Sequence, residues 1–155
     1  MSAKAKKSWR EKLADDKGLP KVIAIQPHQE KRWGRGTMVV PAPREVDALI
    51  RTIPRGETRT VAELCEGLAK GHGTDRGCPL TTGIFAWIAA HAAAEDEADG
   101  RRSITPWWRV LKTGGKLNPK FPGGIEEQAR RLKSEKIPVA GEKVLDGHGL
   151  SGSGR

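Results

Sequence analysis

Apolar positions along this chain recur with two periods. Val46, Leu49, Ile50 and Ile53 fall at i, i+3, i+4 and i+7, one stripe of a helix. Pro43 suits the first turn of that helix, and Pro54-Arg55-Gly56 ends it. A second helix opens at Thr60-Val61-Ala62-Glu63, a capping box in which the Thr60 hydroxyl receives the Glu63 amide and the Glu63 carboxylate reaches back to the Thr60 amide. Val61, Leu64 and Leu68 then turn inward, and Gly71-His72-Gly73 is expected to break the helix. After a loop to Pro79, Thr81 or Thr82 is expected to cap a third helix through Ile84, Phe85, Trp87, Ile88 and Ala92. Ile125, Ala129 and Leu132 mark a last helix, with Arg130, Arg131 and Lys133 near its C-terminal end, where they complement the dipole. The short runs Val22-Ile23-Ala24-Ile25 and Gly36-Thr37-Met38-Val39-Val40 read as strands, the second closed by Pro41 and Pro43. Trp9 and Leu13, spaced i, i+4, predict a short helix that docks ahead of them.

The elements give a mainly α, or α+β, fold with a winged-helix-like core. We expect a basic N-terminal extension over 1–41, partly disordered, a folded domain over 42–138, and a flexible Gly/Ser-rich tail over 139–155. Helix, turn, helix is a shape that enters DNA grooves, although its spacing alone equally fits an ordinary helix hairpin.

Charge sharpens this picture. The 155 residues carry 28 Lys and Arg against 19 Asp and Glu, a net charge of +9. Such a balance suits a polyanion, nucleic acid first. Glu95, Asp96, Glu97 and Asp99 are expected to be a solvated helix end, unhelpful to phosphate binding. There is no apolar run of membrane-spanning length, and the Lys-rich start lacks the apolar core of a secretory signal, so a cytoplasmic protein with no membrane partner is expected. Cys65 and Cys78 are then reduced thiols. His28, His72, His91 and His148 are scattered, and His72 and Cys78 in one loop lack two further ligands, so neither metal nor cofactor is expected.

The most informative stretch is Thr105-Pro106-Trp107-Trp108-Arg109-Val110, followed by Phe121-Pro122-Gly123-Gly124-Ile125. With Ile53-Pro54-Arg55-Gly56-Glu57, the capped helix and Cys78-Pro79 before Thr81-Thr82-Gly83, the order over about Pro43 to Ile137 resembles the C-terminal domain of alkylguanine-DNA alkyltransferases. That family holds its methyl-accepting cysteine in a Pro-Cys-His-Arg-Val core. Here Trp107 stands in the cysteine position and Trp108 in that of the histidine that activates it. The transfer needs a nucleophile and a base, and an indole supplies neither. The resemblance therefore implies the alkyltransferase-like branch, which binds damaged guanine without repairing it. By register, Gly83 replaces the arginine that takes the flipped base's place, and Val61 replaces a tyrosine that helps rotate the phosphate; the chain has no tyrosine. Arg109 matches the family arginine and is expected to tie its segment to the domain.

The leading reading is a monomeric, non-enzymatic protein that binds alkylated guanine in duplex DNA and flags it to repair proteins. Its lesion pocket would comprise Thr81, Thr82, Gly83, Trp87, Pro106, Trp107, Trp108, Arg109, Gly123 and Gly124. Adjacent residues in an extended segment point opposite ways, so one of the paired indoles would pack inward and the other, Trp107, could stack on a base. A second reading is an interaction module that keeps the fold, offers the two tryptophans to a protein, and binds DNA only nonspecifically. A third is a methyltransferase with a relocated cysteine, for which Cys78, before Pro79, is the more accessible candidate and Cys65 reads as a small core residue.

Overall fold

The computed structural model of the protein describes residues 7–145. The disorder expected at the very start, and the tail from Asp146 onward, lie outside the described residues. The helices are α1 (Trp9–Ala14), α2 (Glu30–Trp33), α3 (Pro43–Arg51), α4 (Val61–His72), α5 (Pro79–Ala98) and α6 (Gly124–Ser134). The strands are β1 (Lys21–Ala24), β2 (Thr37–Val40), β3 (Arg59–Thr60), β4 (Arg76–Gly77), β5 (Val110–Leu111), β6 (Val139–Ala140) and β7 (Lys143–Val144).

Three small sheets frame the helices. β1 pairs antiparallel with β2, and β2 pairs in parallel with β4. β3 and β5 pair in parallel, which sets the start of α4 beside the segment after Trp108. β6 and β7 form an antiparallel hairpin. The stretch 139–145, expected in the flexible tail, is thus ordered, because Val144 is buried with Leu111, Leu117, Leu132 and Ile137.

α5 is the central helix. It is apolar nearly all round, as a helix packed on several sides must be. Phe85, Ala86, Ile88, Ala89, Ala90, Ala92 and Ala93 are buried against α1, α3, α4 and the Trp107 segment. The many alanines let neighbouring backbones approach closely. Val46, Ile50, Leu64 and Leu68, the stripes visible in the sequence, complete this core with Val110 and Phe121.

Helix ends differ from expectation at two places. α5 starts at Pro79, with Cys78 as its N-cap residue, so Thr81 and Thr82 sit inside the first turn. Proline at the first helical position lacks the amide that would be orphaned there, and this decides the start. α4 continues through Gly71 to His72 and ends on Gly73 in the left-handed region at φ 68°. The capping box of α4 forms as read: Thr60 Oγ1 accepts from the Glu63 amide at 3.2 Å and Glu63 from the Thr60 amide at 2.8 Å. The loop before Pro79 contains β4, where Gly77 is required: a Cβ there would lie 2.6 Å from the Cys65 carbonyl oxygen.

The acidic segment is solvated only in part: Glu97 and Asp99 are exposed, whereas Glu95 and Asp96 are half-buried against α1. Glu95 accepts from the amides of Trp9 and Arg10 at 3.1 and 2.9 Å, so its carboxylate caps α1. Arg10 also pairs with Asp99 at 2.6 Å. These charges fasten α1 to α5, and Trp9 lies edge-on to Trp87 (centroids 4.7 Å) and stacked on His91 (4.5 Å).

Candidate functional site

The Trp107-Trp108-Arg109 segment is a single 3-10 turn, not an extended strand. Both indoles therefore face the body of the protein, contrary to the alternation expected. Trp107 is 1% exposed and sits edge-on to Trp108 and Phe121, each at 5.7 Å. The Arg131 guanidinium of α6 covers both indoles at 5.3 and 5.0 Å and is held there by Glu127 and Glu97, each at 2.6 Å. Arg130 and Arg131 beside Glu127 outweigh its partial burial and hold its carboxyl at about 2.

Glu135, just beyond α6, is the hub of this region. It accepts from the Trp108 indole at 2.7 Å, from Arg109 Nη2 at 2.8 Å and from the Gly56 amide at 2.9 Å. Arg109 also donates to the Ile53 carbonyl at 2.7 Å. The tying role expected of Arg109 is thus present in full. Burial alone would raise the Glu135 carboxyl, but the hydrogen bonds from Arg109, Gly56 and Trp108 and the Arg109 charge outweigh it and hold it below its ordinary value. Buried Gln128 adds a second tie, accepting from the Asn118 amide at 2.8 Å and donating to the Val110 carbonyl at 2.9 Å. This bond fixes the loop from Lys112 to Lys120.

That loop forms one wall of a groove of about 480 Å³ at the start of α5. Val61, Leu80, Gly83, Ile84 and Trp87 form the helical wall, and Lys112, Asn118, Pro119 and Lys120 face them. Leu80 is 72% exposed there and Ile84 43%, unusual for apolar residues on a well-packed helix. A groove with an apolar floor and ammonium groups on its rim suits a flat aromatic group attached to an anionic chain.

Of the residues expected at the site, Gly83 and Trp87 line this groove. Thr81 contacts Cys78, with Oγ1 and Sγ 3.2 Å apart, and Thr82 is buried within α5. Pro106, Trp107, Trp108 and Arg109 belong to the buried hub beneath the loop. Gly123 and Gly124 shape the entry to α6 in the left-handed region at φ 76° and 73°, and a Cβ on Gly123 would lie 2.5 Å from that of Glu127. Leu80, Lys112, Asn118 and Lys120 were not singled out from the sequence. The available signal for Leu80 was a lone leucine between Pro79 and two threonines at the helix start. No local pattern marks the loop residues, because the contact that brings them to α5 spans some thirty residues of chain.

Cys65 and Cys78 are free thiols and both are buried, which corrects the expected accessibility of Cys78. Burial pushes the Cys65 thiol up, away from the reactive thiolate. His72 bonds Glu45 at 2.6 Å rather than joining Cys78, and no group of three or more metal-ligating side chains occurs among the described residues. No helix among them is long and apolar enough to cross a membrane.

No curated protein matches the chain. Among solved structures, S. pombe Atl1 in complex with damaged DNA containing O6-carboxymethylguanine is similar at 21% identity and a TM-score of 0.47, over 67% of this chain and 87% of that one. The O6-methylguanine methyltransferase of Mycobacterium tuberculosis is similar at 25% identity and a TM-score of 0.42, over 64% of this chain and 51% of that one. Residues 41–137 match the family model described as 6-O-methylguanine DNA methyltransferase, DNA binding domain. With more than half its length in that match, the chain belongs to the 6-O-methylguanine DNA methyltransferase family.

Proposed function

We propose that this protein binds alkylated guanine in duplex DNA without transferring the alkyl group, and flags the lesion for repair proteins. The observation that carries the reading is the groove at the start of α5; the resemblance, which puts Trp107 and Trp108 in the family's cysteine and histidine positions, supports the non-enzymatic part. The flipped base would enter between Trp87 and the Lys112–Lys120 loop, with Lys112 and Lys120 toward its phosphates. Leu80 is the exposed side chain placed to fill the gap a flipped base leaves, a use to which apolar wedges are put elsewhere. It would do so in place of the arginine that Gly83 lacks. Trp107 acts indirectly, as the packed base on which the loop rests.

Support for the absence of transfer comes from the two thiols. Both are buried, and burial disfavours the Cys65 thiolate. Fluorescence anisotropy with a duplex bearing one O6-alkylguanine and the same duplex unmodified, at two salt concentrations, tests the reading. Tighter binding to the lesion at both salts, with the protein mass unchanged afterwards, is the expected result. Equal binding of the two duplexes would refute lesion reading, and a mass gain of one alkyl group on Cys65 or Cys78 would refute the non-enzymatic role.

A further inference from the structure

The 112–116 turn and the hairpin after α6 together build a feature that touches the groove only at Lys112. Lys112 and Lys116 face each other across an antiparallel bridge, and Lys116 pairs in turn with Lys143 of β7. Backbone bonds fix the register: the Lys112 amide donates to the Lys116 carbonyl and the Leu117 amide to the Glu142 carbonyl, both at 2.8 Å. Directly paired residues in such a ladder hold their Cβ atoms roughly 4.5–5.5 Å apart on one face. The register therefore places three lysines side by side in a row.

Like charges placed directly opposite destabilise a sheet, so this row has a cost that needs a counterpart. All three lysines are exposed, and none takes part in an ion pair among the described residues. Many arginines, by contrast, are matched to carboxylates: Arg10, Arg44, Arg51, Arg109, Arg130 and Arg131. The row is also rigid, since Leu117 and Val144 beside it are buried in one apolar cluster. Its inner end, Lys112, lines the groove, and its outer end, Lys143, lies beyond residue 137, where the family match stops.

We propose that Lys112, Lys116 and Lys143 form a phosphate track for duplex DNA that starts at the groove and runs outward along the added hairpin. The track rests on the reading that duplex DNA lies on this face, and not on whether the groove reads a lesion. It supplies affinity to modified and unmodified DNA alike, because phosphate contacts carry no base information.

The dependence of binding on salt measures it. Each phosphate contact contributes about 0.9 to the slope of log K against log salt, so a K112Q/K116Q/K143Q variant should lose roughly 2–3 from that slope. A K116Q/K143Q variant leaves the groove wall intact and should lose about 2 while keeping the wild-type ratio of lesion to unmodified affinity. K21Q/K31Q/K70Q, three exposed lysines elsewhere, removes the same charge and should change the slope far less. A ladder variant that lowers the slope no more than this control overturns the proposal, as does a wild-type protein that binds neither duplex. Equal wild-type binding to both duplexes, with the slope lowered by the ladder variants, sinks lesion reading and leaves the track standing.

Discussion

Replacement of Glu135 tests the hub that supports the groove. Its carboxylate is 2% exposed and its Arg109 partner 13%, so the pair is almost wholly desolvated. Removing one member of a buried pair costs about 3–5 kcal/mol, because the other charge remains without compensation. Glu135→Ala also leaves the Trp108 indole N–H and the Gly56 amide without their acceptor. Those losses overlap with the first, so about 3–5 kcal/mol is expected in total, a large share of the ~5–15 kcal/mol that holds a domain folded. Glu135→Gln keeps the volume and one acceptor oxygen but still leaves the Arg109 charge uncompensated, and should cost about 2–4 kcal/mol, most of the alanine loss. Urea unfolding followed by tryptophan emission gives both values from the midpoint at constant m. A loss under about 1 kcal/mol for the alanine variant, or a glutamine variant as stable as wild type, would refute the account of a buried ion pair at the centre of the hub. The pH dependence supplies a further check. The folded Glu135 carboxyl is held below its ordinary value of 4.5, so its stabilisation is complete above that value and is lost as pH falls through the lower, folded one. The stability gap between wild type and Glu135→Gln should therefore be constant near neutrality and shrink below pH 4.5.

Two further outcomes separate groove from core. Leu80→Ala should leave stability within about 0.5 kcal/mol, since the side chain is mostly exposed, and should weaken lesion binding in the anisotropy titration. Trp107→Ala should instead cost about 3–5 kcal/mol, read by the same urea melts, and any loss of DNA binding should follow unfolding. Trp9→Ala should cost about 2–3 kcal/mol through the lost stack on His91 and Trp87, and should also weaken DNA binding, because Trp87 lines the groove. Unchanged affinity in a folded Trp9→Ala protein would separate α1 from the site.

Local periodicity made much of the scaffold legible. The stripes of α3 and α4, the Thr60 capping box and the Trp9–Leu13 spacing of α1 each depend on residues close in sequence, whereas the tying role of Arg109 came from the family resemblance. Where the reading went astray, a distant partner decided. Glu95 looked solvated because the amides it caps and its Arg10 partner, on α1, lie some eighty-five residues away. Trp107 looked exposed because an extended segment was assumed, whereas the 3-10 turn and the Arg131 cover put it in the core. Glu135 and Gln128 carry no local mark beyond a polar residue at or just after an otherwise apolar stripe. The lysine row exists only once 112, 116 and 143 are brought side by side.

The placement of the indoles has an optical consequence. The chain has five tryptophans and no tyrosine, so its near-ultraviolet signal is almost purely indole. Four of the five form two close, nearly perpendicular pairs: Trp9 with Trp87 at 4.7 Å and Trp107 with Trp108 at 5.7 Å. Such pairs couple electronically and give circular dichroism whose size depends on the mutual orientation of the rings. One pair abuts the groove and the other rests on the Glu135 hub. Events at the groove and melting of the interior therefore both register in the indole signal of unlabelled protein, and replacing one ring of either pair by phenylalanine tells the two contributions apart.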